Sequence, residues 1–527
     1  MRTRHLAFLS PLALLVLALG CGDDTATDTD TDAGPSGSDA GADVTTTDGG
    51  RDGSAGDGAT DANPDAPPID TTPRKLVSGT ASITGVTSDG YVLYRTATGL
   101  SVIGTQPNAT ATEITTASAN VYVRGKVAFV FRNIDYTTNL ADLDVWTAAG
   151  GVKTVGQVLF SEDAIAASDD GSTILYSANV TLTTVDLVAA KSDLSAKTTL
   201  LTMGRSSVTT CGARYAFASK HVFAASCDVG TLEGTLRRFD PVTAGADAGT
   251  LIDGGSDAGA AWGTTTIATG VQPLFATDAA GTRVFYITTG SQGRFAENGT
   301  TTLLDNGVTG GTLLPDGSAA LYTVGDQLRR SPLPAVNPIP IVTTGYVNRA
   351  AFSPDLTRVL YSTTITYVGT EKRDLRLAST TSLNATADKL VENPEAQLSL
   401  SAFTADGDYA LWLTNVGTIG AATLNARKST GGTPITFPNV VAVSASKGSR
   451  IVFTDKRTDP LVYPILADIE VVNLSMPVPT AFTLQTKVLD SGSFQLLPGG
   501  TAIVYARSGS ADDAGAAGDA IYVQALP

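Results

Sequence analysis

The stretch Ala167-Ser-Asp-Asp-Gly171-Ser-Thr-Ile-Leu-Tyr176 decides the fold: a strand end, an Asp-Gly turn, then a second strand closing on an aromatic residue. Gly takes the positive φ that a tight hairpin requires, and Asp hydrogen-bonds its own following backbone. The unit therefore reads as a β-hairpin. It recurs at Val86-Thr-Ser-Asp-Gly90-Tyr-Val-Leu-Tyr94, Leu314-Pro-Asp-Gly317-Ser-Ala-Ala-Leu-Tyr322, Phe352-Ser-Pro-Asp-Leu356-Thr-Arg-Val-Leu-Tyr361, Phe403-Thr-Ala-Asp-Gly407-Asp-Tyr-Ala-Leu-Trp412 and Leu497-Pro-Gly-Gly500-Thr-Ala-Ile-Val-Tyr505. Weaker copies end at Phe131, Phe223, Tyr286 and Phe453, which makes about ten.

A third and a fourth strand follow each hairpin, as in Asp144-Val-Trp146 then Val152-Lys-Thr-Val155, or Ile469-Glu-Val-Val472 then Leu484 to Leu489. Four strands per repeat of roughly 36 to 60 residues match the blade period of β-propellers. The sequence thus predicts an all-β propeller of four-stranded blades, about 8–10 repeats, over residues 73–527. Short strands and turns also allow a β-sandwich or a pair of small β domains. Ten blades exceed the roughly four to eight that propellers typically have, so an unusually large ring, two or three weak copies that are not blades, or two rings all stay open.

Phe352-Ser-Pro-Asp355 followed by Arg358-Val-Leu-Tyr361 resembles the FSPDG-x-x-h-h-F/Y signature of TolB-type, WD40-like propeller repeats, with Leu356 where Gly is usual. The resemblance runs over residues 73–527, and most other copies keep part of the motif. The α/β domain that precedes the propeller in TolB has no counterpart in residues 22–70, which are of low complexity.

The N-terminus reads Met1-Arg-Thr-Arg-His5, then an apolar run from Leu6 to Leu19, then Gly20-Cys21. A basic start and an apolar run of about 15 residues describe a secretory signal, too short for a membrane-spanning helix. Ala18-Leu19-Gly20-Cys21 resembles the bacterial lipobox, with Ala18 where Leu is commonest. Residues 1–20 are thus expected to be a lipoprotein signal peptide and Cys21 the lipidated residue. Several acyl chains, at about 0.8 kcal/mol per buried methylene, hold a protein at a membrane more firmly than one.

Net charge is −16, and residues 22–70 hold 13 Asp against one Arg. That segment carries −12 and the signal peptide +2, which leaves −6 for residues 71–527. Without large apolar side chains it cannot offset the entropy of ordering, so residues 21–72 are expected to form a disordered Asp/Thr/Gly/Ala-rich tether with an r.m.s. span of about 40 Å. Asp28, Asp30 and Asp32 alternate as in a calcium loop, with Asp39 at the twelfth position. Ala33 replaces the turn glycine, however, and no helices flank the run, so a solvated spacer is the reading preferred. Asp-Ala-Gly triplets at Asp247, Asp257 and Asp513 read as insertions lengthening surface loops. No basic patch is available for phosphates, which disfavours nucleic acid as a partner.

Beyond residue 21 the chain has one histidine, His221, and two cysteines, Cys211 and Cys227. No G-x-S-x-G elbow supplies a nucleophile, and zinc-type Cys/His clustering is missing, so neither catalytic residues, a metal site nor a cofactor are assigned. A glycosidase carboxylate pair stays open. The expected role is that of an envelope lipoprotein, outer-membrane, periplasmic or surface-facing, whose propeller binds or assembles protein or glycan partners. The alternative is a propeller hydrolase acting on envelope or extracellular glycans or peptides.

Export into an oxidising compartment makes Cys211 and Cys227 the one intramolecular pair left, and Gly212 to Ser226 reads as two strands turning near Ser219. Closing that loop would contribute about 3 kcal/mol. Thiol labelling of the native protein is expected to leave both positions unmodified until a reductant is added. Labelling of both without reductant rules the bond out.

Overall fold

The computed structural model describes residues 71–79, 81–204, 214–226, 228, 233–241, 262–343, 347–367, 370–381, 388–391, 401–414, 421–455, 466–489, 494–507 and 519–527. The expected signal peptide, Cys21 and residues 22–70 of the tether, together with Cys211, Cys227 and the triplets at Asp247, Asp257 and Asp513, lie outside the described residues. Residues Thr72–Leu526 form one unit, built from antiparallel strands. Among the described residues the helical turns are the short 3-10 segments Glu162–Ala164 and Pro498–Gly500.

The described strands group into ten four-stranded blades. Four stand alone, at 81–115, 308–342, 347–391 and 401–440. Three larger sheets each hold two blades: 119–159 with 165–204, 442–489 with 494–525, and 214–306. In the last of these one strand, Trp262–Thr277, finishes one blade and begins the next. This merger is a departure from the separate strands the sequence suggests. Blades are numbered 1 to 10 from residue 81, and their strands a to d in chain order.

Every aromatic residue that ends a sequence repeat sits on a strand b, and none of the ten is more than 4% exposed. The cause is burial on both faces. In blade 1, Val92 and Tyr94 pack against blade 10, while Leu93 between them packs against blade 2. A strand covered on both sides must be apolar without alternation, hence runs such as Phe129-Val-Phe131 and Ile174-Leu-Tyr176. Burial alone pushes the Tyr176 phenol up to about 12.

Each apolar cluster joins two consecutive blades, and together they close a cycle. The clusters link 1 to 2, 2 to 3, 3 to 4, 4 to 5 and 5 to 6. They continue through 6 to 7, 7 to 8, 8 to 9, 9 to 10 and 10 back to 1. First strands of neighbouring blades meet, 81–86 with 119–124 and with 494–496, for example, which puts the a strands on the inside of the ring. The described strands of residues 74–525 thus form one closed ring of ten blades.

Closure uses the chain's own beginning. Blade 10 takes its strands a to c from Phe494–Leu496, Ala502–Arg507 and Ala520–Ala525, and its strand d is Arg74–Ser78. The ladder runs Arg74 opposite Val523 and Ser78 opposite Ala520, with a bulge between Lys75 and Val77. Arg74 also reaches into blade 1, where its guanidinium donates to the Thr105 and Gln106 carbonyls.

The Asp-bearing turns between strands a and b do more than reverse the chain. Ser168 Oγ donates to Asp170 Oδ1 at 2.6 Å and accepts from the Thr173 N–H at 3.0 Å. Ser353 with Asp355 and Thr404 with Asp406 repeat the arrangement at 2.6 Å. The Ser168 hydroxyl and then the Ser172 N–H hold the Asp170 carboxyl below its usual value. Neighbouring turns also touch. Ser88 N–H donates to the Gly125 carbonyl at 2.9 Å, Ala279 N–H to the Pro315 carbonyl at 2.9 Å, and Ser449 Oγ to Asp406 Oδ2 at 2.5 Å. Gly171 therefore meets two demands, a φ of 72° and an approach so close that a Cβ would lie 2.9 Å from Lys126 Cβ. Leu356 takes the same left-handed conformation, with φ 55°, and its side chain packs on the cluster between blades 6 and 7.

Deleting residues 71–80 leaves the edge of Ala520–Ala525 unpaired and uncovers the blade 10 to blade 1 cluster. Melting temperature is expected to fall by many degrees, with aggregation through the open edges. A deletion variant that melts and stays soluble like the parent would contradict closure by this strand.

Candidate functional site

Antiparallel four-stranded blades place the a–b and c–d turns at one end of the ring and the b–c and d–a connections at the other. Bonds within each end show it: Leu333 N–H in a c–d turn donates to Ser318 of an a–b turn at 2.8 Å, and Phe160 N–H in a d–a connection donates to Asn139 of a b–c turn at 2.7 Å.

Of the chemistry-bearing residues singled out in the sequence, His221 is the one described. It opens strand b of blade 4, after the turn at Ser219 that the sequence predicts. Its Nδ1 meets the Asp240 carboxylate, which also accepts from Arg238 Nε at 2.7 Å. The imidazole edge abuts the Gly281 turn of blade 5. Its described contacts thus brace two turns, and among the described residues no serine hydroxyl is hydrogen-bonded to it. Cys211 and Cys227 flank this same hairpin in the chain and lie outside the described residues.

The buried carboxylates brace blades too. Asp144, 3% exposed, accepts from Arg132 Nε and Nη2 at 2.6 and 2.9 Å and from Thr154 Oγ1 at 2.8 Å. Glu470 accepts from Thr483 Oγ1 at 2.7 Å. Among the described residues no three His, Cys, Asp or Glu side chains cluster to hold a metal ion.

Two cavities open at the b–c and d–a end. One, of about 280 Å³, lies in blade 2 and is bounded by Ser118, Asn120, Asn133, Ile134 and the largely exposed Tyr136. The other, of about 430 Å³, lies where Trp262–Thr277 crosses from blade 4 to blade 5, and Thr269, Gly270, Tyr286, Thr288, Gln292 and Arg294 line it. Gly270, with φ 64°, makes the reversal there. Thr289 N–H ties it down by donating to the Gly270 carbonyl at 2.8 Å.

Blade 6 contains a filled version of the second cavity. Arg329 donates to Gln327 Oε1 from Nε and Nη2 at 3.0 and 2.6 Å, and from Nη1 to Asp305 Oδ2 of blade 5 at 2.5 Å. The Tyr322 hydroxyl donates to the same oxygen at 3.4 Å. Burial first, then the Asp305 charge, pushes the Tyr322 phenol well above its usual value, so it remains a neutral donor. Neither cavity was legible in the sequence, since each depends on which blades become neighbours.

The sequence matches no family model and no curated protein. Similar solved structures include a eukaryotic initiation factor, at 14% identity and TM-score 0.43 over 69% of this chain and 90% of that one. TolB from Acinetobacter baumannii is similar at 14% identity and TM-score 0.27 over 68% of this chain and 79% of that one. A prolyl endopeptidase is similar at 14% identity and TM-score 0.31 over 44% of this chain and 38% of that one.

Asp305→Ala leaves Arg329 Nη1 and the buried Tyr322 hydroxyl without the acceptor they share. The expected cost is about 1–3 kcal/mol in chemical denaturation, with Asp305→Asn recovering part of it.

Proposed function

We propose that this chain is a lipid-anchored lipoprotein of the bacterial cell envelope that displays a ten-bladed propeller as a binding scaffold for protein or glycan partners. One observation carries the reading. The chain enters the ring at Arg74, on the end with the a–b and c–d turns, whereas both cavities open at the opposite end. An anchor at Cys21 and a tether spanning about 40 Å would leave the cavity-bearing end free for partners. Connections on a rigid scaffold are where binding residues concentrate. The hydrolase alternative draws nothing from His221 or Asp144, whose bonds tie strands of their own blades.

Lipid attachment is tested with Cys21→Ser in a bacterial host that processes lipoproteins. The parent protein is expected in the detergent phase with an acylated N-terminus, and the variant is expected soluble or uncleaved. Parent protein recovered soluble with an unmodified N-terminus would overturn the anchor.

A further inference from the structure

Blades 5 and 6 repeat one polar arrangement with a single member exchanged. In blade 6, Tyr322 on strand b stands opposite Arg329 on strand c. In blade 5, Tyr286 stands opposite Arg294 in the same register. Gln292 accepts from Arg294 Nε and Nη2 at 3.1 and 2.9 Å, as Gln327 does from Arg329. Each tyrosine packs toward the preceding blade, Tyr322 on blade 5 and Tyr286 on blade 4.

The preceding blade is where the two differ. Blade 5 ends Asp305-Asn306-Gly307-Val308, and Asp305 completes the Arg329 fork. Blade 4 ends Ala268-Thr269-Gly270-Val271. The two stretches align through a glycine of positive φ, 70° and 64°, and a valine that pairs with the last residue of strand b, Val324 or Thr288. Ala268 thus stands where blade 5 has Asp305, and Thr269 where it has Asn306. Among the described residues no carboxylate lies within ion-pair distance of Arg294, and its Nη1 has no protein acceptor. The 430 Å³ cavity opens at this place, lined by Arg294 with Thr269, Thr288 and Gln292.

We propose that this cavity is a carboxylate-binding site in which the acid group of a small ligand takes the place that Asp305 occupies beside Arg329. Arg294 Nη1 supplies the charge-assisted hydrogen bond, and Gln292 fixes the guanidinium in advance. Hydroxyls of Thr269 and Thr288 are available to polar groups on the rest of the ligand. The site names a ligand chemistry for the binding scaffold proposed above and rests on that reading.

The experiment titrates the full-length chain, in detergent, with glutarate, glutamate and glucuronate, and with sulfate and inorganic phosphate as tetrahedral anions. Saturable binding of at least one carboxylate is expected, and the tetrahedral anions should bind at least tenfold more weakly. Arg294→Gln should weaken carboxylate binding at least tenfold. Ala268→Asp supplies the acid from within the chain, as blade 5 does, so it should abolish binding while melting temperature holds or rises. That variant separates blockade from unfolding. Glutamate against glucuronate tells an amino acid from a sugar acid as the source. The site is overturned if no carboxylate saturates the parent protein, if tetrahedral anions bind as tightly, or if folded Ala268→Asp binds as the parent does. Any of these leaves membrane partition through Cys21 unaffected, so failure here is distinct from failure of the anchored scaffold.

Discussion

Strand b of each blade offers apolar side chains to both neighbours, and this two-sided burial governs the rest of the structure. Fully burying a Leu, Val or Phe contributes about 1.5–3 kcal/mol, and a blade with one face in water would forgo half of that from its central strands. No blade can therefore stand at the end of a row. A linear array would need polar capping repeats, whereas a ring needs none. Each of the ten apolar clusters serves two blades, and the cluster that Tyr94 shares with Val504 and Ile521 differs from the others only in joining the two ends of the sequence.

Two-sided burial also settles where polar groups can go. They collect at strand ends and turns, where Ser168 and Asp170 satisfy a turn's own backbone, and on the outer strands c and d, where Asp144 and Asp305 meet arginines. A carboxylate there spans two strands or two blades and acts as a joint. The cavity beside Arg294 marks a joint to which no described residue brings the acidic half.

Much of the fold was legible because the repeat is local. A turn followed by an apolar run that ends in an aromatic is contiguous in sequence, and all ten copies, four of them with an Asp-Gly pair, place that aromatic on a strand b. The closing strand Arg74–Ser78 was legible through a count, since the C-terminal repeat runs one strand short. What stayed hidden depends on partners distant in sequence. Gly171 reads as a hairpin glycine, and nothing local reveals the approach of Lys126. Arg294 and Arg329 look alike in sequence. Their difference lies at Ala268 and Asp305, on the preceding blades, and emerges once blade order is known. His221 reads as a lone histidine because Asp240 is contributed by the next strand.

Because blade 10 borrows its outer strand from residues 74–78, the first part of the ring to be synthesised is the last to find its place. Blades 1 to 9 can assemble in sequence as each leaves the ribosome, while Arg74–Ser78 has no partner until Ala520–Ala525 follows. Contacts of such separation form late, after the intervening chain has lost most of its freedom. Chains truncated anywhere before residue 520 would leave Arg74–Ser78 unmated. Pairing of Arg74–Ser78 with Ala520–Ala525 is thus the contact that turns ten stacked blades into a ring, and until it forms both strands present an open edge.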